Sequence, residues 1–527
     1  MTIHRQLQRT SDQQLIENLY NSFTDFFLIW GSVLVFSMQL GFLCLEAGSV
    51  RMKNVKNIII KNVLDICLAS FTYYATGYAF SYAQGNGFIG GTIDGSYFFL
   101  YTGSVEPDLI NYPFYFYQFT FAATSVSIVS GAVAERCSMC AYFTYSLLTP
   151  MIIYPVVVHW VWSDSGFLSM TNAISPGGDT NSIGVIDFAG SAVVHLTGGV
   201  SGLVACYILG PRLGRFELNS NSIMVARPLY PHSAALQAIG CFILWIGWYG
   251  FNIGSLLTVN DLGQAGGRIA ITTTISAAVS ATTAIIINYS WRQNYGFPEA
   301  LNGIISGLVS ITAGCATTRI ELSFLIGFVS AITYLSWSNI MLYWQLDDVV
   351  DAVAVHGACG IWGVFAAALF AYGPYVEEIY GIPADSLTSK GVIYGGDGKL
   401  VSMAAVLVFS VIAWVGATSF LLFGALNCFE LLRVSEGSEE LGLDIVEHGG
   451  SAYKYTDYDE SPLNIRDVIG HTTRSRNAIT RDTIRNASNN SIIRSGHPSI
   501  APSTATNPNP IDASIYADKC NYEEKRL

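Results

Sequence analysis

The sequence predicts an all-α membrane protein with about eleven transmembrane helices. Hydrophobic residues make up 51% of its 527 residues and charged residues only 12%, about half the charged fraction of soluble domains. Long apolar runs alternate with short polar gaps up to about residue 430. The net charge of −12 argues against a nucleic-acid partner, because phosphate binding needs a basic face. Together these observations indicate a multi-pass protein whose main partner is the lipid bilayer.

The individual crossings follow from the length of the apolar runs, since a helix needs roughly 20 residues to span about 30 Å of hydrocarbon. Residues 1–23 contain no apolar core of signal-peptide type, so the first run must act as both targeting signal and retained helix. We place the crossings near residues 25–47, 58–82, 114–134, 140–162, 187–209, 233–257, 269–290, 300–318, 322–344, 350–373 and 401–430.

The orientation follows from the basic residues of the short loops, which concentrate on the cytoplasmic side of a membrane. Arg51, Lys53, Arg136, Arg212 and Arg292 all fall in loops of one side. This places the N-terminus outside and the C-terminus in the cytoplasm. The chain then divides into an extracellular N-terminal segment, a transmembrane domain, a cytoplasmic regulatory segment and a disordered cytoplasmic tail, covering residues 1–24, 25–430, 431–455 and 456–527.

Two segments share a pattern that indicates an internal repeat. IDFAGSAVVHLTGGVSGL contains Asp187 and His195, and DDVVDAVAVHGACGIWGV contains Asp348 and His356. In each, Asp precedes the histidine by eight residues and Gly follows it by four and by seven. These segments open helices 5 and 10, so the repeat unit is five helices. An odd number of crossings gives helices 1–5 and 6–10 opposite orientations, and a long helix 11 follows.

The repeat predicts that the two histidines meet inside the membrane. Eight helical residues rise about 12 Å, which brings each histidine from its own Asp to near the midplane of a core about 30 Å thick. A single histidine there is more simply a hydrogen-bonded interior residue. Two matched histidines favour a pathway, because ionisable groups at membrane depth are costly and usually line one.

Several motifs now resemble one family. They are QLGFLCLEAGSVRMKN, SGAVAER, IDFAGSAVVH, WIGWYGFNIGS and AVHGACGIWG. In this order, they resemble the ammonium transporter, methylammonium permease and Rhesus family over residues 25–455. IDFAGS, PRLGRFE and GLDIVEHGGSAY look closest to the plant-type ammonium transporters. The resemblance implies a plasma-membrane homotrimer in which each subunit has its own narrow, largely apolar pore.

The resemblance also implies an outer recruitment site at Trp162 and Ser255, with Phe121 beside it and Asp187 nearby. An aromatic face attracts a small cation by about 1–2 kcal/mol where it is partly desolvated, and a serine hydroxyl accepts a hydrogen bond from N–H. Asp187 has two interpretations that remain open together. Its carboxylate can cap the N-terminus of a helix, or it can stabilise the cation and receive its proton.

Deeper in the pore, the resemblance implies a phenyl gate followed by the twin histidines and by a cytoplasmic end. Phe121 and Phe251 match the gate, and His195 and His356 match the pore histidines. Asp348 and Asp351 are expected at the cytoplasmic end of the pore or in a structural role. No metal site or cofactor is expected, and an enzyme with a histidine-bound metal is disfavoured because no third ligand has metal-site spacing.

The expected function is therefore ammonium transport. Ammonium resembles a lysine head group, whose reference pKa is about 10.4, and a bare charge at the bilayer centre is costly. The ion would bind outside, lose its proton and cross as ammonia along the histidines, with the proton either crossing too or returning. The alternatives are methylammonium, a Rhesus-like gas channel, or a non-conducting ammonium sensor.

The cytoplasmic part of the chain offers regulatory candidates. Residues 431–455 match the family's segment that packs under the trimer, but Val446 stands where plant-type members carry a regulatory threonine. From residue 456 the chain is polar and lacks apolar periodicity, which predicts disorder. Arginines lie among its serines and threonines. A solvated linker is expected there, and the alternatives are a kinase target or a weak contact with the membrane surface.

Overall fold

A computed structural model describes residues 2–91, 97–101, 110–170, 184–260 and 262–453, with side chains from residue 12 onward. Within these ranges, nine helices are long and apolar enough to cross a membrane. Two further helices, Tyr112–Ala132 and Phe297–Thr312, occupy the other two predicted positions. Both are buried over most of their length, so their polar residues face protein rather than lipid. The predicted count of about eleven transmembrane helices is confirmed.

The α-helices of the first half are α1 Thr2–Ser49, α2 Val55–Thr72, α3 Tyr78–Tyr82, α4 Tyr112–Ala132, α5 Met139–Leu148, α6 Tyr154–Trp162 and α7 Thr197–Leu209. The second half and the end contain α8 Ala234–Gly254, α9 Gly267–Arg292, α10 Phe297–Thr312, α11 Ile320–Tyr343, α12 Cys359–Phe370, α13 Gly373–Tyr380, α14 Lys399–Cys428, α15 Glu436–Leu441 and α16 Leu443–His448. Short 3₁₀ turns cover Met52–Asn54, Phe98–Leu100 and Val392–Tyr394. One hairpin, β1 Phe216–Leu218 with antiparallel β2 Met224–Ala226, interrupts the helical fold.

The first helix is longer than its apolar run. We predicted a crossing at 25–47 after a separate segment of residues 1–24, but α1 runs without a break from Thr2 to Ser49. At 1.5 Å per residue, its first two dozen residues extend roughly 35 Å beyond the predicted crossing. The Tyr20 hydroxyl contacts the Thr258 hydroxyl, so this extension is held beside the loop that follows α8.

Within the described residues, five π-helical turns interrupt the crossings, at Tyr73–Gly77, Thr149–Ile153, Ser191–Leu196, Leu262–Gly266 and Val353–Ala358. Two of them contain His195 and His356. In each of these two, the residue five places before the histidine has a left-handed backbone, with φ of 103° at Gly190 and 60° at Asp351. The inverted repeat therefore extends to local backbone geometry, and π-helical turns are frequent at functional sites.

The predicted starts of helices 5 and 10 at residues 187 and 350 need correction. Regular helical structure begins at Ser191 and near Val353 instead. The reason is that Asp187 and Asp348 cap these helices rather than form their first turns. Eight continuous helical residues do not separate each Asp from its histidine, so the assumed rise of about 12 Å was wrong, although both histidines are buried.

The two halves cross where their histidine helices touch. A Cβ added at Gly199 would lie 2.4 Å from the Cα of Gly357, so the two backbones are in direct contact. The crossing lies four residues after His195 and one residue after His356. Close backbone packing through glycine is common between membrane helices, and here it holds the two histidine turns together.

The end of the described chain packs against the cytoplasmic loops. Glu439 accepts hydrogen bonds from Arg433 at 2.8 Å and from the Leu213 amide at 2.7 Å. Asp444 accepts from the Asn57 amide at 3.0 Å and is buried. The segment that begins at residue 431 is therefore tied to the first turn of α2 and to the loop after the fifth crossing. The tail predicted to be disordered, from residue 456, lies outside the described residues.

Beside this segment lies a buried ion-pair network. Asp347 accepts hydrogen bonds from Arg212 at 2.7 Å and from Arg215 at 3.1 Å. Arg212 also lies 3.4 Å from Glu135, which pairs with Arg51. Burial alone would raise the pKa of Asp347, but the hydrogen bonds and charge of Arg212 hold that pKa well below its usual value. Asp347 thus stays ionised and anchors the chain just before Asp348.

Deletion of residues 431–455 should reduce transport strongly, whereas deletion of 456–527 should leave it largely intact. The first deletion removes Glu439 and Asp444 and leaves the backbone N–H groups of Leu213 and Asn57 without their acceptors, which costs about 1–3 kcal/mol for each buried group. Ammonium uptake, normalised to the amount of protein in the membrane, measures both effects. Equal loss in the two truncations would show that the boundary near residue 455 is wrong.

Candidate functional site

An outer cavity of about 280 Å³ is lined by four of the residues singled out from the sequence, Phe121, Trp162, Asp187 and Ser255. Trp162, at the end of α6, donates from Nε1 to the Asp187 carbonyl oxygen at 2.9 Å. The Ser255 hydroxyl lies 2.8 Å from the Phe251 carbonyl oxygen, to which it donates. Its oxygen lone pairs remain available to a donor in the cavity.

At the floor of this cavity two phenyl rings close the path. Phe121 and Phe251 stack with ring centroids 4.0 Å apart and an angle of 19° between the planes. The Phe121 ring also meets Trp162 edge to face at 5.8 Å. Both phenylalanines are at most 1% exposed. The two rings are therefore in direct stacking contact.

Asp187 is buried beside the cavity and performs the capping role. Its Oδ2 accepts the backbone N–H of Ala192 at 3.0 Å and of Val193 at 2.9 Å. Its Oδ1 has no hydrogen-bond partner among the described residues. One carboxylate oxygen thus caps the π-helical turn, while the other is free to interact with a ligand. The two interpretations of Asp187 are compatible in this geometry.

Past the phenyl rings lie the two histidines. The Nδ1 atoms of His195 and His356 are 3.2 Å apart, and the rings stack at 5.2 Å. Trp248 stacks on His195 at 5.0 Å and donates from Nε1 to the Thr312 hydroxyl at 2.9 Å, which fixes the ring that faces His195. The short contact requires one Nδ1 to donate and the other to accept, so the neutral pair shares one proton at this contact.

The path continues into two inner cavities. One of about 20 Å³ is lined by His356, Glu46 and Asn302, and one of about 170 Å³ by Asn302, Asp351 and Arg212. Residues such as Leu45 and Val350 line both. Ring contacts and shared lining residues therefore connect the outer cavity, the phenyl rings, the histidines and the inner cavities in this order.

Asp348 and Asp351, both predicted at the cytoplasmic end of the pore, have different hydrogen-bond partners. Asp348 accepts the Val353 N–H at 2.7 Å and so caps the second histidine turn, as Asp187 caps the first. Asp351 lines the larger inner cavity and accepts from Ser338 at 3.0 Å and from Tyr334 at 3.3 Å. Asp348 is therefore placed to cap a helix, whereas Asp351 lies in the wall of the larger inner cavity.

Sequence reasoning missed several residues of the site. Tyr117 lines the outer cavity, and its hydroxyl contacts the Phe251 carbonyl oxygen at 2.9 Å and Ser255 at 3.3 Å. Glu378 also lines this cavity and pairs with Arg268 at 2.7 Å. Glu46 lies in the motif QLGFLCLEAGSVRMKN, where an acidic residue within an apolar run was a signal that we did not use.

Comparisons with known proteins agree with this geometry. The profile of the Ammonium Transporter Family matches residues 26–453. Ammonium transporter 1 member 1 of Oryza sativa subsp. japonica is 39% identical over 425 residues, which cover 79% of this chain and 82% of that protein. Ammonium transporter 1 member 1 of Arabidopsis thaliana is also 39% identical over 425 residues, with the same coverage of 79% and 82%. The predicted resemblance to plant-type transporters is confirmed.

Solved structures show the same fold. A protein named Sensor Amt Protein superimposes with a TM-score of 0.70 at 29% identity, covering 82% of this chain and all of that one (100%). Mep2 of Candida albicans superimposes with a TM-score of 0.67 at 25% identity, covering 79% of this chain and 87% of that one.

Proposed function

Because the chain belongs to the ammonium transporter family, a class of transporters and not of enzymes, we propose that it carries ammonium across the plasma membrane as a homotrimer, one pore per subunit. The observation that supports a conducting pore most directly is the unbroken order of outer cavity, phenyl rings, histidine pair and inner cavities. A protein that only bound ammonium would need the outer cavity alone.

Recruitment takes place in the outer cavity. The ion gains cation–π attraction from Trp162 and donates hydrogen bonds to Ser255 and to the free Oδ1 of Asp187. Glu378, on the same wall, adds negative charge, although its pairing with Arg268 at 2.7 Å offsets part of it. Methylammonium offers the same charge with one donor fewer, so it is expected as a weaker substrate.

Deprotonation follows from the environment beyond the phenyl rings. Phe251, Trp248 and the histidines form a wall with no charged side chain of opposite sign, and a bare cation in such a place is strongly disfavoured. The proton passes to Asp187 or to water in the outer cavity, and ammonia enters when a phenyl ring rotates. The apolar wall thus excludes ammonium but admits ammonia, the neutral molecule that forms when ammonium loses a proton.

The histidine pair then replaces the hydrogen bonds that ammonia had with water. Each neutral imidazole can donate at one nitrogen and accept at the other, whereas an apolar wall would leave ammonia unpaired at a cost of several kcal/mol. The shared Nδ1 proton gives the pair a route for moving a proton as well. Transport of ammonia with or without that proton is therefore compatible with the same residues.

Expression in cells that lack their own ammonium transporters tests the proposal. Uptake of labelled ammonium should appear and should saturate, because recruitment precedes permeation. A test of recruitment is Trp162→Leu, which removes the aromatic face. Its half-saturating concentration should rise about tenfold, as expected for loss of a cation–π contact worth about 1–2 kcal/mol. Normal surface expression and ammonium binding without uptake would instead support a sensor.

A further inference from the structure

We propose that His159 holds the outer end of α6 as a doubly protonated imidazolium and thereby positions Trp162 for ammonium. His159 lines none of the cavities described above, so it acts through the helix that carries Trp162. Because histidine exchanges a proton in the physiological pH range, recruitment then depends on the pH of the outer solution. The effect on recruitment rests on the proposed function, whereas the charge of His159 does not.

The first argument is that both ring nitrogens of His159 face backbone carbonyl oxygens. Nδ1 lies 2.8 Å from the Ser81 oxygen and Nε2 lies 2.8 Å from the Asn86 oxygen, and the side chain is buried. A carbonyl oxygen only accepts hydrogen bonds, and a neutral imidazole has only one N–H. With one proton fewer, a nitrogen lone pair would face an oxygen lone pair at hydrogen-bond distance. The two contacts therefore require an N–H on each nitrogen, which is the imidazolium.

A serine hydroxyl near the ring does not replace the second proton. The Ser165 hydroxyl lies 3.4 Å from Nε2 of His159 and 3.1 Å from the Ser163 hydroxyl. If it donated to Nε2, the Asn86 oxygen would still lie 2.8 Å from the same nitrogen with no hydrogen between them. The shorter contact identifies the Asn86 oxygen as the partner of this nitrogen.

The second argument is that the positive charge lies between the C-terminal ends of two helices. His159 is in the last turn of α6, which ends the helical crossing Met139–Trp162. Ser81 is in the last turn of the crossing Met52–Tyr82, where carbonyl groups lack partners within the helix. A cation at a helix C-terminus is stabilised by up to about 2 kcal/mol in a partly buried site. Two helix ends and two carbonyl oxygens thus offset part of the cost of burying the charge.

The proton on His159 is held without a fixed negative charge. Among the described residues, no carboxylate forms an ion pair with this histidine. On α6 and the neighbouring α3, α4, first histidine turn and outer loops, the titratable side chains are Tyr78, Tyr82, Tyr112, Tyr115, Tyr117, Tyr154, Asp164, Asp187 and His195. Backbone dipoles therefore hold the proton, and it can leave when the outer pH rises.

The charge of His159 matters for recruitment because of its place on α6. The next residue, Trp160, donates from Nε1 to the Phe88 carbonyl oxygen at 2.9 Å, so both residues fasten the helix end to the same outer loop. The same turn supplies Val161 and Trp162 to the wall of the outer cavity. The position of the aromatic face that meets the cation thus depends on these two attachments.

Raising the outer pH should therefore weaken recruitment. When His159 gives a proton to outer water, one N–H bond breaks and the Asn86 oxygen loses its donor. The end of α6 is then held mainly through Trp160, and Trp162 is in place in a smaller fraction of the molecules. The apparent affinity for ammonium falls with that fraction.

Uptake of labelled ammonium at about pH 5.5 and about pH 8 tests this dependence, because histidines usually titrate between such values. In the wild type, the half-saturating concentration should rise about fivefold at the higher pH, as expected if about one-fifth of the molecules keep Trp162 in place. The saturating rate should stay within about twofold. His159→Asn keeps an amide near the Ser81 oxygen but takes up no proton, so its half-saturating concentration should be raised and equal at the two pH values.

Trp160→Phe provides the matched control, because it removes a neutral donor from the same helix end. It should raise the half-saturating concentration at both pH values and keep the wild-type ratio between them. If His159→Asn kept that ratio as well, the pH dependence would belong to another group, such as Asp187, and the proposal would be overturned. A wild type without pH dependence would overturn it too.

Solid-state ¹⁵N NMR reads the charge of His159 without any transport. At about pH 5.5, two protonated ring-nitrogen signals of the wild type should be absent from His159→Asn. Loss of one protonated and one unprotonated signal would instead show a neutral ring and overturn the proposal. A protein that shows the imidazolium but carries no ammonium would defeat the proposed function and leave the charge of His159 established.

A second variant covers the case in which His159→Asn does not reach the membrane. Ser165→Ala removes the hydroxyl beside Nε2 and leaves both carbonyl contacts of the ring. With an imidazolium, its half-saturating concentration should equal that of the wild type at both pH values. A raised value at both would show that a neutral His159 depends on the serine donor, which would contradict the proposal.

Discussion

Replacing His195 with aspartate should let potassium ions pass, whereas alanine at the same position should weaken ammonium transport without admitting potassium. The carboxylate would lie in the wall now formed by Trp248 and Phe251, next to the remaining His356. An opposite charge nearby favours the ionised form, so aspartate and a protonated His356 would create a polar path for cations. Alanine removes the hydrogen bonds that ammonia uses and leaves an apolar gap.

The measurement is the ratio of ammonium to potassium current, together with uptake, normalised to protein at the cell surface. His159 offers a matched control because it is also a buried histidine, but it lies away from the path and contacts the carbonyl oxygens of Ser81 and Asn86, each at 2.8 Å. His159→Asn should lower the yield and leave the current ratio unchanged. If His195→Asp behaves in the same way, the histidine pair merely satisfies hydrogen bonds of the protein interior.

Replacing Gly199 with alanine should prevent most of the protein from reaching its folded state. The new Cβ would lie 2.4 Å from the Cα and N of Gly357, and backbone atoms cannot move aside as the end of a side chain can. Overpacking of a tight interior typically costs about 1–3 kcal/mol even where side chains yield. Separation of the two histidine turns should also abolish transport in any molecules that do assemble.

Gly202 lies on the same helix and provides the control. A Cβ there would meet Ala132 at 3.5 Å and Val353 at 3.8 Å, which are ordinary contacts. Gly202→Ala should therefore be neutral or slightly stabilising, since alanine favours a helix by up to about 1 kcal/mol over glycine. Thermal unfolding of the purified proteins and their yield in the membrane compare the two. Similar stability of both variants would contradict the close contact of the two halves.

Much of this architecture could be predicted from the sequence because the membrane imposes a simple pattern. Apolar runs of about 20 residues mark crossings, and the repeated Asp–His spacing identified the two turns that meet. The crossings at Tyr112–Ala132 and Phe297–Thr312 were found although polar residues interrupt both apolar runs. Both helices are buried over most of their length, so their polar residues face protein and not lipid.

Other features depend on packing that no local pattern reports. The π-helical turns at His195 and His356 form where an aspartate caps the backbone after a residue with positive φ. Aspartate is one of the non-glycine residues that adopt this conformation most readily, although it remains uncommon for them. Glu46 was overlooked because its position beside His356 depends on a small cavity that forms only where α1, α4 and α10 come together. The extension of α1 was missed because its polar residues suggested a separate segment.

The contact between the two Nδ1 atoms also limits how the pair can handle protons. Only one hydrogen fits between nitrogens 3.2 Å apart. The imidazole that donates this hydrogen has a lone pair on its other nitrogen. The imidazole that accepts it carries its own N–H on its other nitrogen. When a proton enters at one end and another leaves at the far end, every bond in the pair shifts by one position, and the direction of the pair is inverted. A second proton cannot be transferred in the same direction until the pair returns to its first arrangement. The histidine pair would then transfer one proton at a time and would have to return to its first arrangement before transferring the next. A neutral molecule that carries its own hydrogens needs no such return.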